Sequence, residues 1–157
     1  MKMIVYKTVE MLLVLLILTT VVHAFYQSSL PPAESTEQSS KVGEIIEEII
    51  PPETPPGAYI QKNLRKLAHF TEFFFLGLWC ALFVLLYHRR RWAFSAFMPF
   101  GVMIALLDET VQIFSKRGPS VKDIWIDTLG YTVAATLSLL VFFVIALIRL
   151  TRERRYL

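Results

Sequence analysis

The sequence predicts an all-α membrane protein: a bundle of four transmembrane helices with an extracellular segment rich in proline and glutamate. Of 157 residues, 55% are hydrophobic, and the mean hydropathy is +0.52, a balance typical of membrane chains. Four apolar runs approach or exceed the length needed to cross about 30 Å of hydrocarbon. Arginine clusters follow the second and fourth runs, matching the bias of basic residues toward the cytoplasm. The net charge of +3 therefore reflects loop placement and gives no reason to expect nucleic acid. The single cysteine, Cys80, excludes an internal disulfide and any CxxC metal motif. A packed or lipid-facing apolar role is expected for it.

The first run, residues 11–22, follows Lys2 and Lys7. It fits a transmembrane helix over 11–26, starting as early as residue 3. It also fits a signal peptide ending at Val22-His23-Ala24. Glu10 suits a signal peptide poorly, so a retained helix is favoured. Either reading places the N-terminus in the cytoplasm and the following segment outside.

Residues 27–62 differ in character. Pro31-Pro32, Pro51-Pro52 and Pro55-Pro56 punctuate a Ser/Glu/Thr-rich stretch with the composition of a linker. Within it Ile45, Ile46, Ile49 and Ile50 recur at helical spacing opposite Glu44, Glu47 and Glu48, which predicts a short amphipathic helix.

The second span, 64–87, is followed by His88-Arg89-Arg90-Arg91, the strongest orientation signal in the chain. The third, 92–114, carries Pro99 and Gly101, expected at a kink or a close helix contact. Gly118-Pro119 marks a tight turn. The fourth, 124–148, has no charge after Asp127 until Arg149, Arg152, Arg154 and Arg155. Residues 63–150 thus form a three-helix core and 151–157 a basic cytoplasmic tail, with both termini in the cytoplasm.

Ionisable residues in or beside membrane spans are costly and point to function. On the second span Arg65, His69 and Glu72 share one face, with Lys66 adjacent. On the third, Asp108, Gln112 and Ser115 do the same. On the fourth, Asp123 and Asp127 lead a stripe continued by Gly130 and Ala134. All three stripes lie at the predicted extracellular end. Turning them toward one another gives a pocket near the outer membrane surface, because a paired carboxylate is penalised less than one facing lipid. Asp127, about one turn below the interface, needs Arg117, Lys66 or another donor. Asp123 suits the N-cap of the fourth helix.

The series Lys66-x-x-His69-x-x-Glu72-x-x-x-Leu76-Gly77, followed by Asp108-Glu109-x-x-Gln112-x-Phe114-x-x-Arg117-x-x-Ser120-x-x-Asp123-x-x-x-Asp127-x-x-Gly130, resembles the VanZ-like family over about residues 64–144. These are small bacterial membrane proteins named for a member linked to teicoplanin resistance. Family members commonly carry asparagine where this chain has Asp127. The resemblance implies a multi-pass protein of the bacterial plasma membrane and a role in the cell envelope.

The favoured function is recognition of a polar headgroup at the outer leaflet: a membrane lipid, a cell-wall precursor or a lipoglycopeptide. The candidate binding residues are Arg65, Lys66, His69, Glu72, Asp108, Gln112, Arg117, Asp123 and Asp127, with arginine suited to phosphate or carboxylate. The alternative is an intramembrane enzyme using His69, Glu72, Asp108 or Asp127 as acid, base or oxygen ligand. Against it, no HExxH or GxSxG motif is present. Asp108 and Glu109 also point about 100° apart on a helix, so both would not face one ion. No cofactor or metal centre is expected. The second alternative is a structural membrane protein. Packing or interfacial roles are expected for Phe73, Phe74, Phe75, Trp79, Trp92, Trp125 and His23.

Overall fold

The computed structural model describes residues 2–87 and 91–154. They form five helices: α1 (Lys2–Ser29), α2 (Pro32–Ile49), α3 (Pro55–Leu86), α4 (Arg91–Phe114) and α5 (Val121–Arg154). Four of these, all but α2, are long and apolar enough to cross a membrane. The orientation signal at His88, Arg89 and Arg90 and the tail residue Arg155 lie outside the described residues, as do the side chains of Arg91 and Trp92.

The stretch expected to be mostly linker is largely helical. α2 starts with Pro32 in its first turn, where the missing N–H has no intrahelical partner to lose. It runs for 18 residues, well beyond the short helix expected. Its isoleucines divide: Ile46 is half-buried, while Ile45 and Ile49 are exposed. α3 begins at Pro55 instead of 64, because Thr54 caps it. The Thr54 hydroxyl oxygen accepts from the Gly57 N–H at 3.2 Å, with proline again at the first positions. The predicted start at 64 falls just after Asn63, whose φ of −117° and ψ of 16° break the helical geometry. Two of the three proline pairs, 31–32 and 55–56, therefore open helices. α5 begins at Val121, which puts Asp123 inside the first turn, and Ser120 precedes the helix as Asp123 was expected to. The Asp123 N–H donates to the Ser120 carbonyl.

α3 is central, and its main partner is α5. Two glycines set that approach. A Cβ on Gly77 would overlap the Tyr131 backbone of α5, and one on Gly130 would overlap the Phe70 carbonyl of α3. Small residues of this kind let membrane helices pack backbone to backbone. Around this seam, Phe73, Leu76, Cys80, Ile104, Ala105 and Tyr131 form the buried core. The Tyr131 hydroxyl donates to the Phe97 carbonyl at 2.9 Å. Many other apolar side chains, among them Leu15, Leu18, Phe143 and Ile148, face outward, as lipid contact requires.

α1 packs on α3 and α4. It runs antiparallel to α3: the Tyr6 hydroxyl donates to the Leu86 carbonyl at one end, and His23 meets Glu72 toward the other. Glu10, the acid that sits oddly in an apolar run, accepts from the Tyr87 hydroxyl at 2.6 Å. α2 packs on α3 at the end where α1 finishes, and Gln61 of α3 donates to the Gly43 carbonyl of α2 at 3.0 Å. Both ends of the described chain therefore lie at the opposite end of the bundle from the polar residues.

Candidate functional site

The polar stripes of α3, α4 and α5 converge, and α1 joins them. Asp108, Gln112 and Asp127 are each 0% exposed, which brings polar groups together inside the bundle and away from lipid. His69 of α3 stands between the two aspartates. Its Nδ1 is 3.4 Å from Asp127 Oδ1 and 3.8 Å from Asp108 Oδ2. These are electrostatic contacts without hydrogen-bond geometry: His69 Nδ1, Asp108 Oδ1 and both Asp127 carboxylate oxygens have no hydrogen-bond partner among the described residues. Asp127 was expected to need Arg117, Lys66 or another donor; the charged partner beside it is His69.

Gln112 ties a second set together. Its amide nitrogen donates to Glu109 Oε1 at 2.7 Å and lies 3.4 Å from Asp108 Oδ2, while its carbonyl oxygen accepts from Arg65 at 2.7 Å. The other Glu109 oxygen accepts from the Ser120 N–H at 2.6 Å. Glu109 thus pins the α4–α5 turn, and the two adjacent acids Asp108 and Glu109 diverge, as helix geometry demands.

The turn itself aims Arg117. α4 ends in a Schellman pattern: the Lys116 N–H reaches the Ile113 carbonyl and the Arg117 N–H reaches the Gln112 carbonyl. Lys116 occupies the left-handed position, with φ of 59°. A glycine there avoids a steric penalty of about 1–2 kcal/mol. Lys116→Gly is therefore expected to raise stability by up to about 1 kcal/mol after the unfolded-state entropy loss is counted, read as a higher unfolding midpoint in detergent. A lower midpoint would mean that the exposed lysine makes contacts that matter more than its backbone.

Arg117 donates to the Gln27 carbonyl of α1 at 2.8 Å. Burial and the like charge of Arg65 hold its guanidinium below the usual arginine range, opposed by Asp108, Glu109 and Asp123. Arg65 and Arg117 both line a cavity of about 660 Å³. Its apolar wall includes Val42 and Ile46 of α2 and Leu64, Leu67, Phe75 and Trp79 of α3. His69 and Glu72 complete the polar end with His23, whose Nδ1 is 3.3 Å from Glu72 Oε1.

Of the residues singled out from sequence, Arg65, His69, Glu72 and Arg117 thus border the cavity, and Asp108, Gln112 and Asp127 lie buried around His69 and Glu109. Lys66 is exposed and outside the cavity lining, and Asp123 is half-buried in the first turn of α5. Sequence reasoning missed α1 altogether as a source of site residues. Ser28 Oγ donates to Asp108 Oδ2 at 2.7 Å, and Ser115 Oγ donates to the Ser28 carbonyl at 2.9 Å. Gln27 and Ser28 fall just past the expected end of the first span, so they read as interfacial polar residues. His23, expected to have an interfacial role, borders the cavity. Ser35, Gln38 and Ser39 of α2 were assigned to the linker and also border it.

Among families of known proteins, the profile described as VanZ/LLP1 matches residues 11–145. No curated protein and no solved structure matches the chain. The family match takes in α1, which supplies Ser28, His23 and Gln27 to the site, as well as the three helices whose motifs first suggested the likeness. On that match and on the four apolar helices that bear it, this chain is a multi-pass membrane protein that belongs to the VanZ/LLP1 family.

Proposed function

We propose that the protein recognises an amphiphile with an anionic headgroup at the outer leaflet of the bacterial plasma membrane. The single observation that supports this most is the joining, in one cavity, of two guanidinium groups with an extended apolar wall. Arg65 and Arg117 repel one another, and a phosphate or carboxylate between them relieves that repulsion through charge-assisted, bidentate hydrogen bonds. Val42, Ile46, Leu64, Leu67 and Phe75 offer a surface for the first part of an acyl chain. A cavity of about 660 Å³ is in the range that holds a drug-sized group, so the rest of a lipid would stay in the bilayer.

The basic residues of the sequence support an outward orientation for the cavity. Lys2, Lys7, Arg149, Arg152 and Arg154, with Arg89, Arg90, Arg91 and Arg155, favour the cytoplasm. Candidate ligands are then those met outside: a phospholipid, a lipid-linked cell-wall precursor or a teicoplanin-type lipoglycopeptide, the last giving a route to resistance.

Trp79 in the cavity wall provides the test. In a Trp92→Phe/Trp125→Phe background, its fluorescence is followed while lipids with brominated chains and either an anionic or a zwitterionic headgroup are added in detergent. Saturable quenching is expected with the anionic lipid, weakened at least about tenfold in Arg65→Ala/Arg117→Ala, since each charge-assisted bond is worth about 1.5–3 kcal/mol. Equal quenching by both headgroups, or none lost in the variant, would discard the reading. A parallel growth assay in a susceptible Gram-positive host separates the drug from native lipids. Protection against lipid-bearing but not lipid-free glycopeptides assigns the antibiotic.

The second reading, acid–base chemistry on the same headgroup, has one observation in its favour: His69 borders the cavity with Asp127 behind it.

A further inference from the structure

We infer that His69, Asp108 and Asp127 bind a first-row divalent cation of the zinc or manganese type, in a site just behind the cavity. The inference stands independently of headgroup recognition.

Three helices each supply one potential ligand. One donor atom from each residue lies within 4.8 Å of the other two. The contacts from the imidazole to the two carboxylates are 3.4 and 3.8 Å. Metal–nitrogen and metal–oxygen bonds of about 2.0–2.2 Å place neighbouring ligands of a tetrahedral ion roughly 3.3 Å apart. The two imidazole–carboxylate contacts lie within about half an ångström of that spacing.

The second observation is that buried polar atoms of all three residues lack a hydrogen-bond partner among the described residues. Asp127 is 0% exposed and neither of its oxygens is hydrogen-bonded. Asp108 Oδ1 and His69 Nδ1 are likewise without a partner among the described residues. A buried, unpaired carboxylate is strongly disfavoured. The nearby guanidinium groups point elsewhere, Arg65 to Gln112 and Arg117 to the Gln27 carbonyl. One imidazole faces two buried carboxylates, so even a protonated His69 leaves a negative charge uncompensated. A divalent cation balances the two carboxylates and takes up the free donor atoms.

The surroundings suit a ligand set. Asp108 Oδ2 is held by the Ser28 hydroxyl at 2.7 Å, with the Gln112 amide 3.4 Å away. Such outer partners fix the direction of a coordinating carboxylate. One nitrogen and two carboxylate donors match zinc or manganese, whereas calcium takes six to eight oxygens and magnesium prefers to keep its water. Three protein ligands leave at least one position for water or a bound molecule, and His69 gives the site a border on the cavity.

The experiment is equilibrium dialysis of the chelator-stripped, full-length protein in detergent against Zn²⁺, Mn²⁺, Mg²⁺ or Ca²⁺, with bound metal measured by mass spectrometry. One Zn²⁺ or Mn²⁺ per chain is expected, together with a higher unfolding midpoint. Asp127→Asn and His69→Gln should each weaken binding by more than about 100-fold, since outer partners alone are worth about 10–100-fold. Ser28→Ala should weaken it within that lower range while keeping one ion per chain. Glu47→Gln, exposed on α2 and outside the cluster, should leave it unchanged. Absence of metal from a folded wild type overturns the site, as does equal uptake by folded His69→Gln. Two variants in different helices keep the test decisive if one of them fails to fold. Equal binding of Mg²⁺ or Ca²⁺ overturns the assignment of the ion. Metal uptake without headgroup-selective quenching would leave this site standing and remove the recognition function.

Discussion

Replacing Gln112 with leucine is expected to destabilise the bundle by about 2–4 kcal/mol. Gln112 is fully buried and has two of its closest partners in charged side chains. Leucine fills similar space but removes the 2.7 Å bond to Glu109 and the 2.7 Å bond from Arg65. Glu109 is itself buried and keeps only the Ser120 N–H of the bonds described for its carboxylate. Stranding a buried polar group costs about 1–3 kcal/mol, and more when it is charged. Gln112→Glu should do at least as much harm, because it sets a third carboxylate beside Asp108 and Glu109. The readout is a denaturant titration in detergent, followed by a double-mutant cycle with Glu109→Gln. Coupling of at least about 0.5 kcal/mol is expected for directly bonded neighbours. A Gln112→Leu protein within about 0.5 kcal/mol of wild type, a typical surface value, would mean that the network does not hold the helices together.

The larger effect should come from the α3–α5 seam. Gly77→Val is expected to cost about 3 kcal/mol or more, at or beyond the upper end of ordinary overpacking. The added Cβ would lie 2.8 Å from Tyr131 Cα and would overlap the Tyr131 carbonyl. These are backbone atoms, which have no alternative rotamer. Relief requires α3 and α5 to separate, and that opens the core around Phe73, Leu76 and Tyr131. It also draws His69 away from Asp127, so site and fold should fail together. Gly118→Val is the control: nothing lies within 4 Å of a Cβ there, and little change is expected. Both variants can be compared by the fraction surviving as monodisperse protein after heating in detergent. Equal survival would show that α3 and α5 tolerate a wider spacing than the structure has.

These expectations rest on features that differ in how far they could be read from residues. The four spans were legible because a run of apolar residues without charge is a local property, and the bilayer imposes a minimum length on it. The polar faces of three spans were equally legible, since helical spacing alone puts Arg65, His69 and Glu72 on one side and Asp108 and Gln112 on another. The two prolines at each of positions 31–32 and 55–56 were not, because proline interrupts a helix from within and begins one from its first turn. Composition does not distinguish the two uses. The cap made by Thr54 does, and it depends on geometry.

Sequence alone thus determined an all-helical membrane protein of this family, with ionisable groups gathered toward one end of its spans. Tertiary structure decided which of them meet. It paired Asp127 with His69 instead of Arg117, gave Gln112 to Glu109 and Arg65, and left Lys66 outside. It also brought Ser28 beside Asp108 across 80 positions of chain. The reason is physical: periodicity specifies the direction of a side chain about its own helix axis. Which neighbour it finds depends on how deeply two helices pack, here set by Gly77 and Gly130 against opposing backbone.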